Sequence, residues 1–271
     1  MSKDGIKPPR AYRDPEFIAS PEARPLRILA EYLEPQDRFE EFNVKDTILV
    51  FGSARLVSRD EARRRLKAAD AGGGDLARAK ADLKMSRYYE ATRELAHRLT
   101  EWSKNLQETD RRFVICSGGG PGIMEAANRG ASEAKGENIG LGISLPFEQH
   151  VNPYVTRKLA FEFHYFFTRK FWFLYLAKAM VIMPGGFGTL DELFEGLTLI
   201  QTGKMKKKMP ILLFGSDFWD RVVDFHALVE FGTISPADLD LFQIVDTVDE
   251  AFDIITRELE QYAVDKPGLS M

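Results

Sequence analysis

Cysteine is almost missing from this 271-residue chain. The one thiol, Cys116, excludes an internal disulfide and suits a reducing compartment, so a cytoplasmic location is expected. An excess of positive charge is missing too: 37 Lys and Arg face 41 Asp and Glu, a formal net charge of −4. That balance argues against a nucleic-acid binder, which shows as a basic patch or stripe. Long apolar runs are absent. The most apolar segment, Phe171–Met183, contains Lys178 and stops at Pro184, short of the roughly 20 residues a membrane helix needs. The opening stretch MSKDGIKPPRAYRDPEF has no apolar centre and is not expected to serve as a secretory signal. No His, Cys and Asp set has metal-ligand spacing, and no Ser-His-Asp or Cys-His combination is identifiable, so no metal site or triad is predicted. What is present is ordinary for a globular protein, 44% hydrophobic and 29% charged, in a chain long enough for a substantial core.

The organisation follows from proline, glycine and apolar spacing. Residues 1–42 are predicted to be a proline- and charge-rich arm followed by a helix from Pro25 to Phe42, with Leu26, Leu29 and Leu33 on its packed side. Residues 43–264 form the main domain, and 265–271 a tail. Thr47–Phe51 is a buried strand. Arg59 to Asp82 is charged, alanine-rich and split by Gly72-Gly73-Gly74, an insertion (59–82) predicted as a helical pair or flexible excursion. From there helices and strands alternate. Helices are expected at Ser86–Trp102, Gly122–Ala134, Phe167–Ala177, after Thr189, at Phe218–Glu230 and at Val248–Tyr262. Strands are expected at Phe113–Cys116, Ile139–Leu145, Leu159–Phe163, Ala179–Met183, Ile211–Phe214 and Gln243–Val245. The alternation predicts an α/β, Rossmann-like, doubly wound and mostly parallel sheet with helices on both faces. Ligands of such sheets sit beyond the carboxyl ends of the strands.

Three of those ends are rich in small residues: Gly52-Ser53-Ala54-Arg55, Ser117-Gly118-Gly119-Gly120-Pro121-Gly122, and Pro184-Gly185-Gly186-Phe187-Gly188-Thr189. Glycine lets backbone N–H groups approach a ligand closely, and a helix starting there adds unpaired amides and a partial positive charge. Gly185, Gly186, Gly188, Thr189 and Ser53 are therefore candidate phosphate ligands. A tight strand-to-helix turn without a ligand is the plainer alternative, less attractive once three such turns coincide. The second turn is no dinucleotide fingerprint: counted from Gly118 and Gly120, the third glycine position holds Ile123, and no acid follows the next strand before Glu148. The third turn has no P-loop lysine. Neither NAD nor ATP is expected.

Two readings compete for Glu192. With Thr189 as helix start, Thr189-Leu190-Asp191-Glu192 fits a capping box. Equally, a carboxylate in the first turn beside a phosphate cradle lies next to whatever carries the phosphate. Asp191 and Glu195 are expected to be solvated or to complement the helix dipole. Arg169-Lys170 fall among Phe166, Phe167, Phe171, Trp172 and Phe173, mostly core rings, which suggests that at least one cation packs on rings or points into the cleft. His164 is predicted to be structural, and the lysines of Gly203–Lys208 to be solvated.

Taken together, SGGGPGIMEAANRGA, then TRK, then PGGFGTLDELFE resembles the Lonely Guy (LOG) family of cytokinin riboside 5′-monophosphate phosphoribohydrolases, often labelled lysine decarboxylase-like. The resemblance runs from about Thr47 to Tyr262, outside the insertion. It implies a Rossmann-like fold, a homo-oligomer (dimer or larger) with sites near the subunit interface, and cleavage of the N-glycosidic bond of a purine nucleoside 5′-monophosphate. Position by position it implies Arg169 and Glu192 as catalytic residues, the Gly185, Gly186, Gly188 and Thr189 turn on the phosphate, and Gly118, Gly119, Gly120, Met124, Glu125 and Lys170 around the nucleoside. One departure stands out: where many members have Met and His just before Thr-Arg, this chain has Phe166-Phe167. Decarboxylation would require pyridoxal phosphate on a lysine, for which Lys170 is the only placed candidate; no cofactor is expected.

The expected reaction is hydrolysis of AMP or an N6-modified AMP to free base and ribose 5-phosphate, with Glu192 beneath the ribose and Arg169 orienting it or stabilising the leaving base. A non-catalytic nucleotide or cofactor carrier on the same cradle is the alternative.

Overall fold

Short β-branched and aliphatic runs become the strands of a single sheet in the computed structural model, which describes residues 8–106, 110–145 and 151–265. Residues 1–7 of the expected arm, 266–271 of the expected tail, and Glu148 lie outside the described residues. The strands are β1 (Thr47–Phe51), β2 (Val114–Ser117), β3 (Asn138–Ile143), β4 (Ala160–Phe163), β5 (Ala177–Ile182), β6 (Ile211–Phe214) and β7 (Gln243–Val245). They lie in the order β4-β3-β2-β1-β5-β6-β7, and each neighbouring pair is parallel. The helices are α1 (Pro15–Ala19), α2 (Arg24–Glu41), α3 (Arg59–Asp70), α4 (Leu76–Lys104), α5 (Ile123–Glu133), α6 (Phe166–Leu176), α7 (Phe187–Gln201), α8 (Ser216–Val222), α9 (Phe225–Glu230) and α10 (Val248–Tyr262).

Side chains alternate across the sheet, so each strand feeds two cores. Leu49 and Phe51 of β1 face a core shared with Phe39 of α2, Trp172 and Phe173 of α6, Leu193 of α7 and Trp219 of α8. Ile48 and Val50 face the opposite core, with Leu95 and Leu99 of α4, Ile123 and Ala127 of α5, and Ile255 and Leu259 of α10. This is the doubly wound, Rossmann-like α/β arrangement. The chain moves outward from β1 to β4 on one side, then returns as β5 on the other side of β1. The crevice at that reversal is where such sheets hold ligands.

Several elements differ from expectation, each for a local reason. The helix expected at Ser86 begins ten residues earlier. Asp75 caps its first turn by accepting the Arg78 N–H at 3.0 Å, and the helix then runs 29 residues without a break. The second half of the 59–82 segment is thus the start of α4. It is locked to α3 through buried Asp82, whose oxygens lie 3.0 Å from Arg65 Nη1 and 2.9 Å from Arg78 Nε. The expected Phe218–Glu230 helix is two helices, because Val223 is extended and Asp224 starts a new cap, accepting the Ala227 N–H at 2.9 Å. A 3-10 turn at Pro236–Leu241, with Ser235 and Asp238 forming a capping box, was not anticipated. In α2 the leucine stripe is not the packed side: Leu26, Leu29 and Leu33 stay about half exposed while Pro35 and Phe39 are buried. Lys207, expected in water, is buried; its ammonium donates to the Leu174 and Tyr175 carbonyls at 2.7 and 3.0 Å.

At the amino end of the sheet the two terminal parts of the domain meet at one ion cluster. Asp46 and Arg112 are both buried and paired, and Lys178 Nζ lies 3.4 Å from Asp46 Oδ1. The same guanidinium donates to the Val264 and Ala263 carbonyls at 2.9 and 2.7 Å, tying the end of α10 to β1. Removing one partner of a buried pair leaves a desolvated charge, which costs about 3–5 kcal/mol. Arg112→Leu is expected to lower unfolding free energy by about that amount in urea titration, and a loss below about 1 kcal/mol would show that the cluster does not anchor the terminus.

Candidate active site

The three glycine-rich turns converge at the β1/β5 crevice. Main-chain bonds fix them to one another: Met183 N–H donates to Phe51 O at 2.8 Å, Ser53 N–H to Pro184 O at 3.0 Å, and Ile123 N–H to Ser53 O at 3.1 Å. They enclose a cavity of about 890 Å³. Ser53, Gly118, Gly119, Gly120, Met124, Arg169, Gly185, Gly186, Gly188, Thr189 and Glu192 all border it. Two nucleoside candidates do not. Glu125 borders an adjoining cavity of about 460 Å³ and accepts the Tyr89 hydroxyl at 2.6 Å. Lys170 turns to α7, with its ammonium 2.8 Å from Asp191 Oδ2 and 3.0 Å from Glu195 Oε2. Asp191 and Glu195 are therefore ion-paired and not simply solvated.

The start of α7 decides between the two readings of Glu192. The helix begins at Phe187 with Gly186 as N-cap, and no side chain caps it. Thr189 is thus already the third helical residue and Glu192 lies in the second turn, so the expected capping box does not form. The first helical bond runs from Leu190 N–H to Gly186 O at 3.0 Å, leaving the preceding amides without a helical acceptor. Thr189 packs inward against the turn: a methyl group placed on Gly185 would come within 2.1 Å of Thr189 Oγ1. At Gly186 and Gly188 such a methyl would meet nothing within 4 Å, so their backbone faces open space. Uncapped amides, a positive helix end and room beside them are the elements of an anion cradle.

Glu192 is 6% exposed, and its Oε2 has no hydrogen-bond partner. Burial pushes its pKa up to about 7, partly offset by the positive charges of Arg169 and Lys170. Such a carboxyl exchanges protons near neutrality, as a general acid or base must. Arg169, one turn into α6, donates through Nε to Leu141 O at 2.7 Å, with its guanidinium 4.9 Å from the centre of the Phe173 ring. It fits because residue 118 has no side chain: a methyl there would lie 2.7 Å from Arg169 Nη2 and 2.6 Å from Met124 Sδ. Trp172 and Phe173 are core rings as expected, but Phe166 and Phe167 are exposed, and Phe166 borders the cavity. His164 is exposed as well.

Sequence reasoning missed the asparagines that shape the second turn. Asn152 is buried; its amide donates to the Gly119 and Gly120 carbonyls at 3.1 and 3.0 Å and to Asn128 Oδ1 at 2.9 Å. Asn128 also accepts the Ser117 hydroxyl at 2.7 Å and donates to Asn138 Oδ1 at 2.9 Å. The available signal was an asparagine set among small apolar helix residues, Ala126-Ala127-Asn128, where a solvated residue would not be expected.

The cavity does not suit pyridoxal phosphate on Lys170. Burial lowers that ammonium's pKa, but the hydrogen bonds to Asp191 and Glu195 outweigh it and leave the group raised, hence protonated and not nucleophilic. Among the described residues no His, Cys, Asp and Glu group is placed to hold a metal, and no helix is long and apolar enough to cross a membrane.

Residues 124–255 match a protein family described as possible lysine decarboxylase. Among solved structures, the chain is similar to one of TM1055, at 20% identity over 78% of this chain and 99% of that one, with a TM-score of 0.47. It is also similar to two structures of the molybdenum cofactor carrier protein of Chlamydomonas reinhardtii. These share 18% and 17% identity, each over 80% of this chain and 99% of that one, with TM-scores of 0.48 and 0.46. No curated protein matches the chain.

The raised pKa of Glu192 makes stability depend on pH. A carboxyl whose folded pKa exceeds its unfolded value favours the fold fully below about pH 4.5, and that contribution is lost as pH rises through about 7. Glu192→Gln carries no such charge, so relative to wild type it is expected to gain of order ~3 kcal/mol between pH 4.5 and 8, at about 1.36 kcal/mol per pKa unit. Parallel stability profiles of the two proteins over that range, measured by urea unfolding, would refute the buried-acid assignment.

Proposed function

We propose that this chain, LOG-like in its motifs and matching the possible lysine decarboxylase family over residues 124–255, hydrolyses the N-glycosidic bond of a purine nucleoside 5′-monophosphate. The products are free base and ribose 5-phosphate, and the substrate is AMP or an N6-modified AMP. The observation that carries the reading is a buried carboxyl, Glu192, one turn inside a helix whose uncapped start borders the same cavity.

In this reading the 5′-phosphate takes the amides of the Gly185–Thr189 turn, with the Thr189 and Ser53 hydroxyls beside it. Charge-assisted hydrogen bonds of this kind are worth about 1.5–3 kcal/mol each, so two or three hold the substrate without touching the reacting bond. The ribose then lies over Glu192. As the C1′–N bond stretches, its electron pair leaves with the base and positive charge builds on the sugar. The Glu192 carboxylate stabilises that charge and takes a proton from the attacking water, whose oxygen bonds to C1′. Arg169 faces the negative charge growing on the base, which then takes up the proton that Glu192 accepted from water, giving the neutral base and restoring the carboxylate. Gly118, Gly119, Gly120 and Met124 form the wall for the purine, and exposed Phe166 offers a ring where the base's substituent would emerge.

Carriage of a nucleotide or cofactor without turnover is the second reading, favoured by one feature: at about 890 Å³ the cavity lies at the large end of small-molecule sites. The two separate in one assay. Purified protein is incubated with a panel of nucleoside monophosphates while free base and ribose 5-phosphate are followed. The expected result is base release whose rate falls about tenfold per pH unit below about 7, where Glu192 becomes protonated. Glu192→Gln is expected to bind AMP within a few fold of wild type and to lose about 10²–10⁴-fold in turnover. Tight binding by wild type with no base release would favour the carrier; hydrolysis by Glu192→Gln at the wild-type rate would remove Glu192 from the chemistry.

A further inference from the structure

The helix that presents Arg169 has no cap of its own. Its N-cap residue, Tyr165, makes no capping side-chain bond. The chain entering the helix is held by Glu31, far away in sequence on α2. Glu31 Oε1 accepts the His164 N–H at 2.8 Å, while Oε2 accepts the Tyr165 N–H at 3.2 Å and the Thr168 hydroxyl at 2.6 Å. Its backbone carbonyl takes the Trp172 indole N–H at 3.2 Å. One residue therefore binds four donors, on His164, Tyr165, Thr168 and Trp172, around the turn from which Arg169 projects, and Thr168 is the immediate neighbour of Arg169.

The rest of α2 is placed to keep Glu31 there. Tyr32 lies 5.4 Å from the Phe171 ring and 5.6 Å from Trp172, and Phe39 lies 5.5 Å from Trp172. Arg38 donates to Ala160 O at 2.8 Å, at the start of β4. Arg169 follows Thr168 directly on that turn, so a shift of the turn moves the backbone from which its side chain reaches the Leu141 carbonyl and the Phe173 ring.

We propose that Glu31 is a positioning residue: by holding the entry to α6 and the Thr168 hydroxyl from the N-terminal helix it sets the placement of Arg169 in the cavity, making α2 part of the catalytic apparatus. The inference rests on the hydrolase reading for its kinetic consequence, though not for its geometric one. Misplacing a charged group by about 1 Å at a reacting centre can cost about 10²-fold.

The test uses the full chain with Glu31→Ala and Glu31→Gln, alone and with Arg169→Ala, and has two independent readouts. In AMP hydrolysis, Glu31→Ala is expected to lower kcat at least tenfold with KM within about threefold. Glu31→Gln, which keeps one acceptor oxygen, should recover part of that loss. In the Arg169→Ala background, Glu31→Ala should cost less than twofold, because the residue it positions is gone. The second readout is the ¹⁵N NMR signal of the Arg169 Nε–H, assigned by its absence in Arg169→Ala; Glu31→Ala is expected to shift or broaden it, and Glu31→Gln to do so less. An equal kcat loss with and without Arg169, or an Nε–H signal unchanged in both Glu31 variants, overturns the proposal. Should wild type release no base from any nucleoside monophosphate, the hydrolase reading fails while the NMR arm alone still decides the role of Glu31.

Discussion

A parallel sheet that reverses its winding at β1 leaves one place where three strand ends cannot be covered by a helix, and the rest of the site depends on that gap. The turns after β1, β2 and β5 are tied by main-chain hydrogen bonds, so the start of α7 is held against the crevice with no side-chain cap on its first turn. Because α7 starts at Phe187, Glu192 is carried past the capping position and into the protein. There burial penalises its charge, while Arg169 and Lys170 reduce the penalty without abolishing it. A group kept near neutrality by such opposed effects is costly for folding and useful for proton transfer.

Helix α6 is the second fixed body of the site, and it is held at both ends by buried or half-buried charges of the sign its dipole favours. Glu31 meets the His164 and Tyr165 amides just ahead of its first turn; Lys207 donates to the carbonyls of Leu174 and Tyr175 at its end. Burial lowers the Lys207 pKa to about 7, with Lys178 adding to the effect and Asp46 opposing it. Arg169 therefore stands on a helix clamped by one segment that precedes the sheet and another between α7 and β6. The purine side of the cavity has its own support in Asn128, Asn138 and Asn152, whose amides satisfy one another and the carbonyls of the glycine turn. Fully satisfied buried polar networks of this type rigidify what they contact.

The alternation of strands and helices, the parallel sheet and the convergence of three glycine turns were legible in the chain because each is a local pattern: apolar runs of strand length, amphipathic spacing and small residues at the junctions. The boundaries were less so. Asp75 restarts a helix immediately after three glycines, and Val223-Asp224 interrupts what looks like a single amphipathic run; both are capping decisions worth only about 0.5–2 kcal/mol. The leucines of α2 form a valid helical stripe, yet packing against α6 selected the face with Pro35 and Phe39 instead.

What the sequence by itself determined is the fold class and the residue types gathered at the carboxyl ends of the strands, since both follow from periodicity and from glycine's lack of a side chain. Only the tertiary structure decided which of those residues face the cavity. It turned Lys170 to Asp191 and Glu195, sent Glu125 to Tyr89 and the neighbouring cavity, and moved the start of α7 so that Glu192 is a buried acid and not a cap. The physical reason is the same in each case. Side-chain direction depends on the phase at which a helix begins and on partners distant in sequence, neither of which a local pattern contains.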